Sequence, residues 1–134
     1  MVSVADAVRI TTDLPGVTEG TSYGNRCWMV GGKPFAWQRP FSKADLRRFG
    51  DSKLPTGPIF ALRVADLRSK DAVLARGTRG VFTIPHFDNY AAVLVQLDIV
   101  PKQAFKRLVQ DAWLAYVPPT MAGGLRVRAS KPRN

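Results

Sequence analysis

The chain has 134 residues, of which 46% are hydrophobic and 22% charged. That is enough for one compact domain, too short for two comfortable ones, and too apolar for a chain disordered throughout. Twenty Lys and Arg against ten Asp and Glu give a net charge of +10 and a pI near 10.5, which points to anionic partners without choosing among them. No apolar run approaches the roughly 20 residues that cross a bilayer, and the N-terminus lacks a basic stretch followed by an apolar one. Neither a membrane span nor a signal peptide is expected. Cys27 is the single cysteine, which excludes an internal disulfide and fits a reducing, cytoplasmic setting.

Ser3 to Leu14 reads as a first helix, with Ser3 as N-cap and Val4, Ala7, Val8, Thr11 and Leu14 near helical spacing. Leu14-Pro15-Gly16 stops it, because proline disfavours the helical region for the residue before it. Val17 to Ser22 leads into the tight connection Tyr23-Gly24-Asn25. Arg26 to Val30 and Lys33 to Gln38 flank Gly31-Gly32 as a hairpin, since both central positions of a primed turn need positive φ. Ser42 to Phe49 fits a short helix, with Ser42 capping, Asp45 at its third position and Gly50 closing it. Ile59 to Val64 alternates as a strand, with Phe60, Leu62 and Val64 on one face and Ile59, Ala61 and Arg63 on the other. Asp66 caps a helix running through Arg76.

Val81 to Leu97 reads as a central hairpin: Val81 to Ile84 as one strand, ended by Pro85, and Ala91 to Leu97 as the other, with Asp88-Asn89 in the turn. After Pro101, Phe105, Leu108, Val109, Ala112, Trp113 and Tyr116 form a continuous stripe at helical spacing, opposite Lys102, Lys106, Arg107 and Gln110. Pro118-Pro119 ends that helix. Hairpin-linked strands imply antiparallel pairing, so the expected fold is a two-layer α+β domain. It is a five-stranded antiparallel sheet covered by helices, in the order α-β-β-(short α)-β-α-β-β-α. Residues 1–117 form the domain, and 118–134 a basic tail too small and polar to build a core, expected to be disordered.

Several stretches together carry a family resemblance. They are Leu14-Pro15-Gly16-Val17-Thr18-Glu19 with Ser22-Tyr23-Gly24, and Val30-Gly31-Gly32-Lys33-Pro34-Phe35-Ala36. Leu62-Arg63-Val64, Phe82-Thr83-Ile84-Pro85-His86-Phe87 with Tyr90, Val93-Leu94-Val95 and Asp111-Ala112-Trp113 complete the set. In order and spacing the chain resembles the MmcQ/YjbR family of small bacterial proteins over about residues 3 to 117. The resemblance implies a five-stranded α+β fold of the CyaY-like and secretion-chaperone-like kind. It also implies a DNA-binding role, suggested for the family from a double-wing shape, and it brings no catalytic residues. Residues 39–57 are longer than the family pattern, and the basic tail is additional, so inferences from charge belong to this chain itself.

Two groups of residues are candidates for function. Arg39, Lys43, Arg47, Arg48 and Lys53, with Arg126 and Arg128 of the tail, suit phosphate contacts, and Trp37, Phe41 and Phe49 lie near enough in sequence to stack on bases. Arg63, Arg68, Lys70, Arg76 and Arg79 form a second basic group. The corner His86-Phe87-Asp88-Asn89-Tyr90, with Tyr23, is the candidate contact for a small-molecule or protein ligand, the alternative to nucleic acid. His86 is the lone histidine, yet no activated nucleophile accompanies it, so a structural or ligand-contacting role is expected and not catalysis. One Cys and one His do not make a zinc site, and Gly31-Gly32 and Gly77-Thr78-Arg79-Gly80 lack the Lys-Ser/Thr of a P-loop. No cofactor, metal or enzymatic activity is expected. Glu19, the only glutamate, reads with Asp13 as helix-end polarity, and Cys27 as a buried small hydrophobe.

Overall fold

The computed structural model describes residues 1–49 and 55–118. Helix α1 (Val4–Thr12) starts where Ser3 Oγ accepts the Asp6 N–H at 3.0 Å. Strand β1 (Thr18–Ser22) turns through Tyr23 and Gly24 into β2 (Asn25–Val30), and Gly31-Gly32 turns β2 into β3 (Lys33–Gln38). Both glycines have positive φ (59° and 77°), as the hairpin requires. There follow α2 (Lys43–Phe49), β4 (Ile59–Arg63), α3 (Leu67–Ala75), β5 (Val81–Phe82), a 3-10 turn at Pro85–Phe87, β6 (Ala92–Gln96) and α4 (Lys102–Tyr116).

The strands form one antiparallel sheet in the order β1-β2-β3-β4-β6-β5. The α+β class and antiparallel pairing agree with the sequence. The count does not: among the described residues there are six strands where five are expected, and β1 is the additional one. Its sequence, Thr-Glu-Gly-Thr-Ser, has no apolar alternation to announce a strand. It is an edge strand, paired on one side only, from Thr18 opposite Met29 to Ser22 opposite Asn25.

Val81 to Leu97 does pair as an antiparallel hairpin, Val81 opposite Val95 and Phe82 opposite Leu94, but it closes one edge of the sheet and is not its centre. All five β6 residues are buried, so the strand needs a neighbour on each side, and its longer partner is β4, from Ile59 opposite Gln96 to Arg63 opposite Ala92. β5 is only two residues long and forms the other edge. Thr83 and Ile84 leave the sheet because Pro85 offers no N–H to continue a ladder.

Two apolar layers follow from the strand alternation. Phe60, Leu62, Val93 and Val95 face α1 and α4, within a main core that includes Trp28, Phe105, Val109, Ala112 and Trp113. Trp28 stacks on Phe60 at 5.2 Å, and Phe60 meets Phe105 edge-on at 6.0 Å, which fixes α4 to the sheet. The predicted α4 stripe is buried at Phe105, Leu108, Val109, Ala112 and Trp113. Each such large side chain contributes about 1.5–3 kcal/mol by burial. Trp113 Nε1 donates to Pro15 O at 2.9 Å, satisfying the one polar atom the stripe carries inward.

The opposite face is not open along its whole width. Ile59, Ala61, Ala92 and Leu94 form a second, smaller core, closed by Ile84 and Phe87 and flanked by Trp37, Phe41 and Phe82. A bulge in β3 serves the main core. Trp28 opposes Ala36 while Met29 opposes Pro34, so Phe35 is an extra residue, and Phe35 and Ala36 are both buried there.

Candidate functional site

The corner between β5 and β6 is built from the backbone outward. Ile84 is extended, Pro85 opens the 3-10 turn, and the amides of Phe87, Asp88 and Tyr90 donate to Ile84, Pro85 and Phe87 carbonyls. Asn89 takes a left-handed conformation (φ 62°), which asparagine tolerates better than most residues. Lys70 of α3 reaches into this corner, and its Nζ donates to Phe87 O at 2.5 Å and Tyr90 O at 2.9 Å. Burial pushes the Lys70 ammonium pKa down, opposed by the charges of Asp88 and Asp71. Lys70 is 5% exposed, so this residue of the second basic group is an internal clamp and not a surface charge.

Tyr90 is thereby held against several neighbours. Its ring packs edge-on to Phe87 at 5.3 Å and tilted to Trp37 at 6.4 Å. The Arg63 guanidinium lies 4.5 Å from its centroid. Burial raises the Tyr90 hydroxyl pKa, and the Arg63 charge opposes that rise. The other two predicted contact residues make no hydrogen bond or ring contact with Tyr90 among the described residues, although Tyr23 is near enough to be a minor cause of the raised Tyr90 pKa. His86 is exposed, and among the described residues it has only a tilted ring contact with Phe87 at 6.2 Å. Tyr23 is fully exposed at the tip of the β1–β2 hairpin.

The basic cluster divides by the same kind of test. Asp45 is 2% exposed and completes a reciprocal cap: Ser42 N–H donates to its Oδ2 at 2.9 Å, and its own N–H donates to Ser42 Oγ at 3.1 Å. Arg39 Nη1 lies 3.0 Å from that carboxylate, and the guanidinium packs over the Phe87 ring at 5.6 Å. Burial of Asp45 favours its neutral form, but hydrogen bonds from Ser42 and Arg39 outweigh it and hold the pKa below the usual carboxylate range. Arg39 is therefore neutralised and largely covered. Arg48 remains about half exposed, 3.8 Å from Asp45, while Lys43 and Arg47 are exposed with no ion pair among the described residues. Lys53, Arg126 and Arg128, with Gly50 as the expected stop of α2 and the expected disorder of 119–134, lie outside the described residues. Of the aromatics proposed to stack on bases, Phe41 belongs to the second core, 6.3 Å from Phe82, and Trp37 is half-buried.

Glu19 is not helix-end polarity. It sits on β1 and pairs across the strands with Arg26, its oxygens accepting from Nε at 3.0 Å and Nη2 at 2.9 Å, and it also accepts Trp28 Nε1 at 3.2 Å. The Arg26 hydrogen bond holds its carboxyl below the usual range. A strand that sequence periodicity does not register could not have suggested this pairing. Cys27 is buried and free. Among the described residues no group of three or more His, Cys, Asp or Glu could hold a metal ion, and no helix is long and apolar enough to cross a membrane.

A cavity of about 30 Å³ lies under α2, lined by Asp45, Arg48, Ile84 and Pro85, which is room for water and not for a substrate. A groove of about 260 Å³ runs between α1 and α4 past Ile10, Leu14 and Val109. Neither gathers the groups of a nucleophilic or acid–base centre.

A family model described as YjbR matches residues 12–115. Among curated proteins, the uncharacterised proteins Rv2570 of Mycobacterium tuberculosis and Mb2600 of Mycobacterium bovis are each 39% identical over 121 residues, covering 88% of this chain and 91% of the relative. No solved structure gives a significant match.

Proposed function

The chain belongs to the YjbR family, and from that premise we propose that it is a non-catalytic, cytoplasmic module that binds DNA through phosphate contacts. The observation that carries this reading is the surface of α2. Its single acid, Asp45, is turned inward and consumed by Ser42 and Arg39. Lys43 and Arg47 consequently present positive charge to solvent without an opposing carboxylate among the described residues, and Arg48 is half free. Phosphate contacts need little more than such groups and carry little sequence information. The tail residues Arg126 and Arg128 add to the same charge in sequence, within the net +10 of the chain. Arg39 drops out of the contact set, because moving it to a phosphate would leave the buried Asp45 charge without its partner.

Titration of a labelled DNA duplex at two salt concentrations tests this, beside a lysozyme control of matched charge. Binding should weaken with salt, and the Lys43→Glu, Arg47→Glu double variant should lower the slope of log affinity against log salt by about 2, one unit for each lost contact. Arg126→Glu with Arg128→Glu should lower it by a similar amount. Affinity that ignores salt, matches the control, or survives the α2 reversal unchanged overturns the reading.

A further inference from the structure

Arg63 ends β4, where two tyrosines converge on it and a lysine approaches one of them. Tyr90 comes from the corner before β6, Tyr116 from the last turn of α4, and Lys33 from the first position of β3. The Arg63 guanidinium lies 4.5 Å from the Tyr90 ring centroid and 5.2 Å from that of Tyr116. Lys33 Nζ lies 5.9 Å from the same Tyr116 ring.

Two ring faces stabilise a guanidinium and fix its plane, but they take none of its five N–H donors. Among the described residues Arg63 makes no hydrogen bond and no ion pair, and its Nε is buried without a partner. A buried donor left without a partner is costly. Other covered cations here are treated differently: Lys70 donates to two carbonyls, and Arg39 pairs with Asp45. Lys33 likewise has no carboxylate among the described residues.

We propose that Arg63, braced between Tyr90 and Tyr116 and assisted by Lys33, is a phosphate-binding site. The guanidinium fork suits an oxyanion with two parallel hydrogen bonds, and the aromatic bracing holds that fork before the ligand arrives. Two cations sharing one aromatic ring, with no acid paired to either among the described residues, match a doubly charged phosphate better than a singly charged carboxylate. The site lies at the other end of β4 from the segment leading into α2, where Arg39 N–H donates to Ile59 O. It therefore does not depend on the α2 reading. The phosphate could come from a small phosphorylated compound or from a nucleic-acid backbone, and the chemistry at Arg63 is shared.

The Arg63 Nε–H group reports directly on the site. In the full chain labelled with ¹⁵N, its resonance is followed during titration with inorganic phosphate, and with acetate and chloride at matched ionic strength. A saturable shift with phosphate, absent with the other two, is expected. Arg63→Lys keeps the charge but loses the fork, and should weaken phosphate binding about tenfold or more. Lys33→Gln alters an exposed side chain, should leave folding intact, and should weaken binding several-fold. A mononucleotide that binds better per phosphate than a short single-stranded oligonucleotide identifies a small ligand, and the reverse order identifies a backbone. Lys43→Glu with Arg47→Glu should leave the Arg63 shift in place, which separates this site from the α2 surface. No shift, an equal shift with acetate or chloride, or wild-type phosphate affinity in Lys33→Gln overturns the proposal.

Discussion

Asp45→Ala removes a buried carboxylate that ties α2 to the rest of the fold. The side chain is 1% exposed and serves three groups at once: the Ser42 amide at 2.9 Å, Arg39 at 3.0 Å and Arg48 at 3.8 Å. Loss of the cap costs about 1 kcal/mol. Loss of the charge-assisted bond to Arg39, whose side chain is 17% exposed, costs about 1.5–3 kcal/mol more. The Arg48 contact is long and half in water, so it adds little. Urea unfolding at pH 7 should therefore show a loss of about 3 kcal/mol with an unchanged slope. Asp45→Asn, which removes the charge and keeps the shape, should lose roughly half of that.

The pH dependence carries the sharper test. The folded-state pKa of Asp45 is depressed below its unfolded value, so on acidification the unfolded chain takes up this proton first. The stability that Asp45 contributes is thus complete above the unfolded carboxyl pKa of about 3.9 and is lost as pH falls through the folded one. Wild type and Asp45→Ala should differ most near neutrality and converge in acid. A loss below about 1 kcal/mol at pH 7, less than the sum of cap and ion pair, would refute the reasoning. So would a gap that persists undiminished at low pH.

Two further predictions concern the corner and its edge strand. Lys70→Met removes both donors to Phe87 O and Tyr90 O, and should destabilise the fold by about 1–2 kcal/mol while speeding hydrogen exchange at the Tyr90 amide. Unaltered Tyr90 protection would show that Lys70 does not hold the corner. Gly80→Ala places a Cβ at positive φ (85°), 2.9 Å from Val100 N and 3.0 Å from Gln96 O, both backbone atoms that cannot swing away. It should cost more than the roughly 1–2 kcal/mol of left-handed strain alone, read from the urea midpoint, and a change within about 0.5 kcal/mol would contradict that.

Much of this fold is legible from short-range pattern. The Ser3 and Asp66 caps, the Gly31-Gly32 turn, the two faces of β4 and the α4 stripe all appear where spacing puts them. Each follows from interactions within about a helical turn or two strand positions, which is the range over which residue order determines neighbours. The site is less legible for the converse reason. Arg39, Lys43, Arg47, Arg63 and Lys70 are alike as letters, yet one is paired, two face water, one is braced between rings and one is buried against carbonyls. Asp45 lies six residues from Arg39, and Lys70 lies 17 and 20 residues from the carbonyls it serves.

What the amino-acid sequence determined by itself was therefore the inventory: a basic α+β chain, its helices, most of its strands, and the family to which their order belongs. Only the tertiary structure decided that Thr18–Ser22 joins the sheet, that β6 lies between β4 and β5, and which positive charges remain available to a ligand. Periodicity is a property of one segment, whereas strand partners and counter-charges are chosen across the chain by what else must be buried beside them.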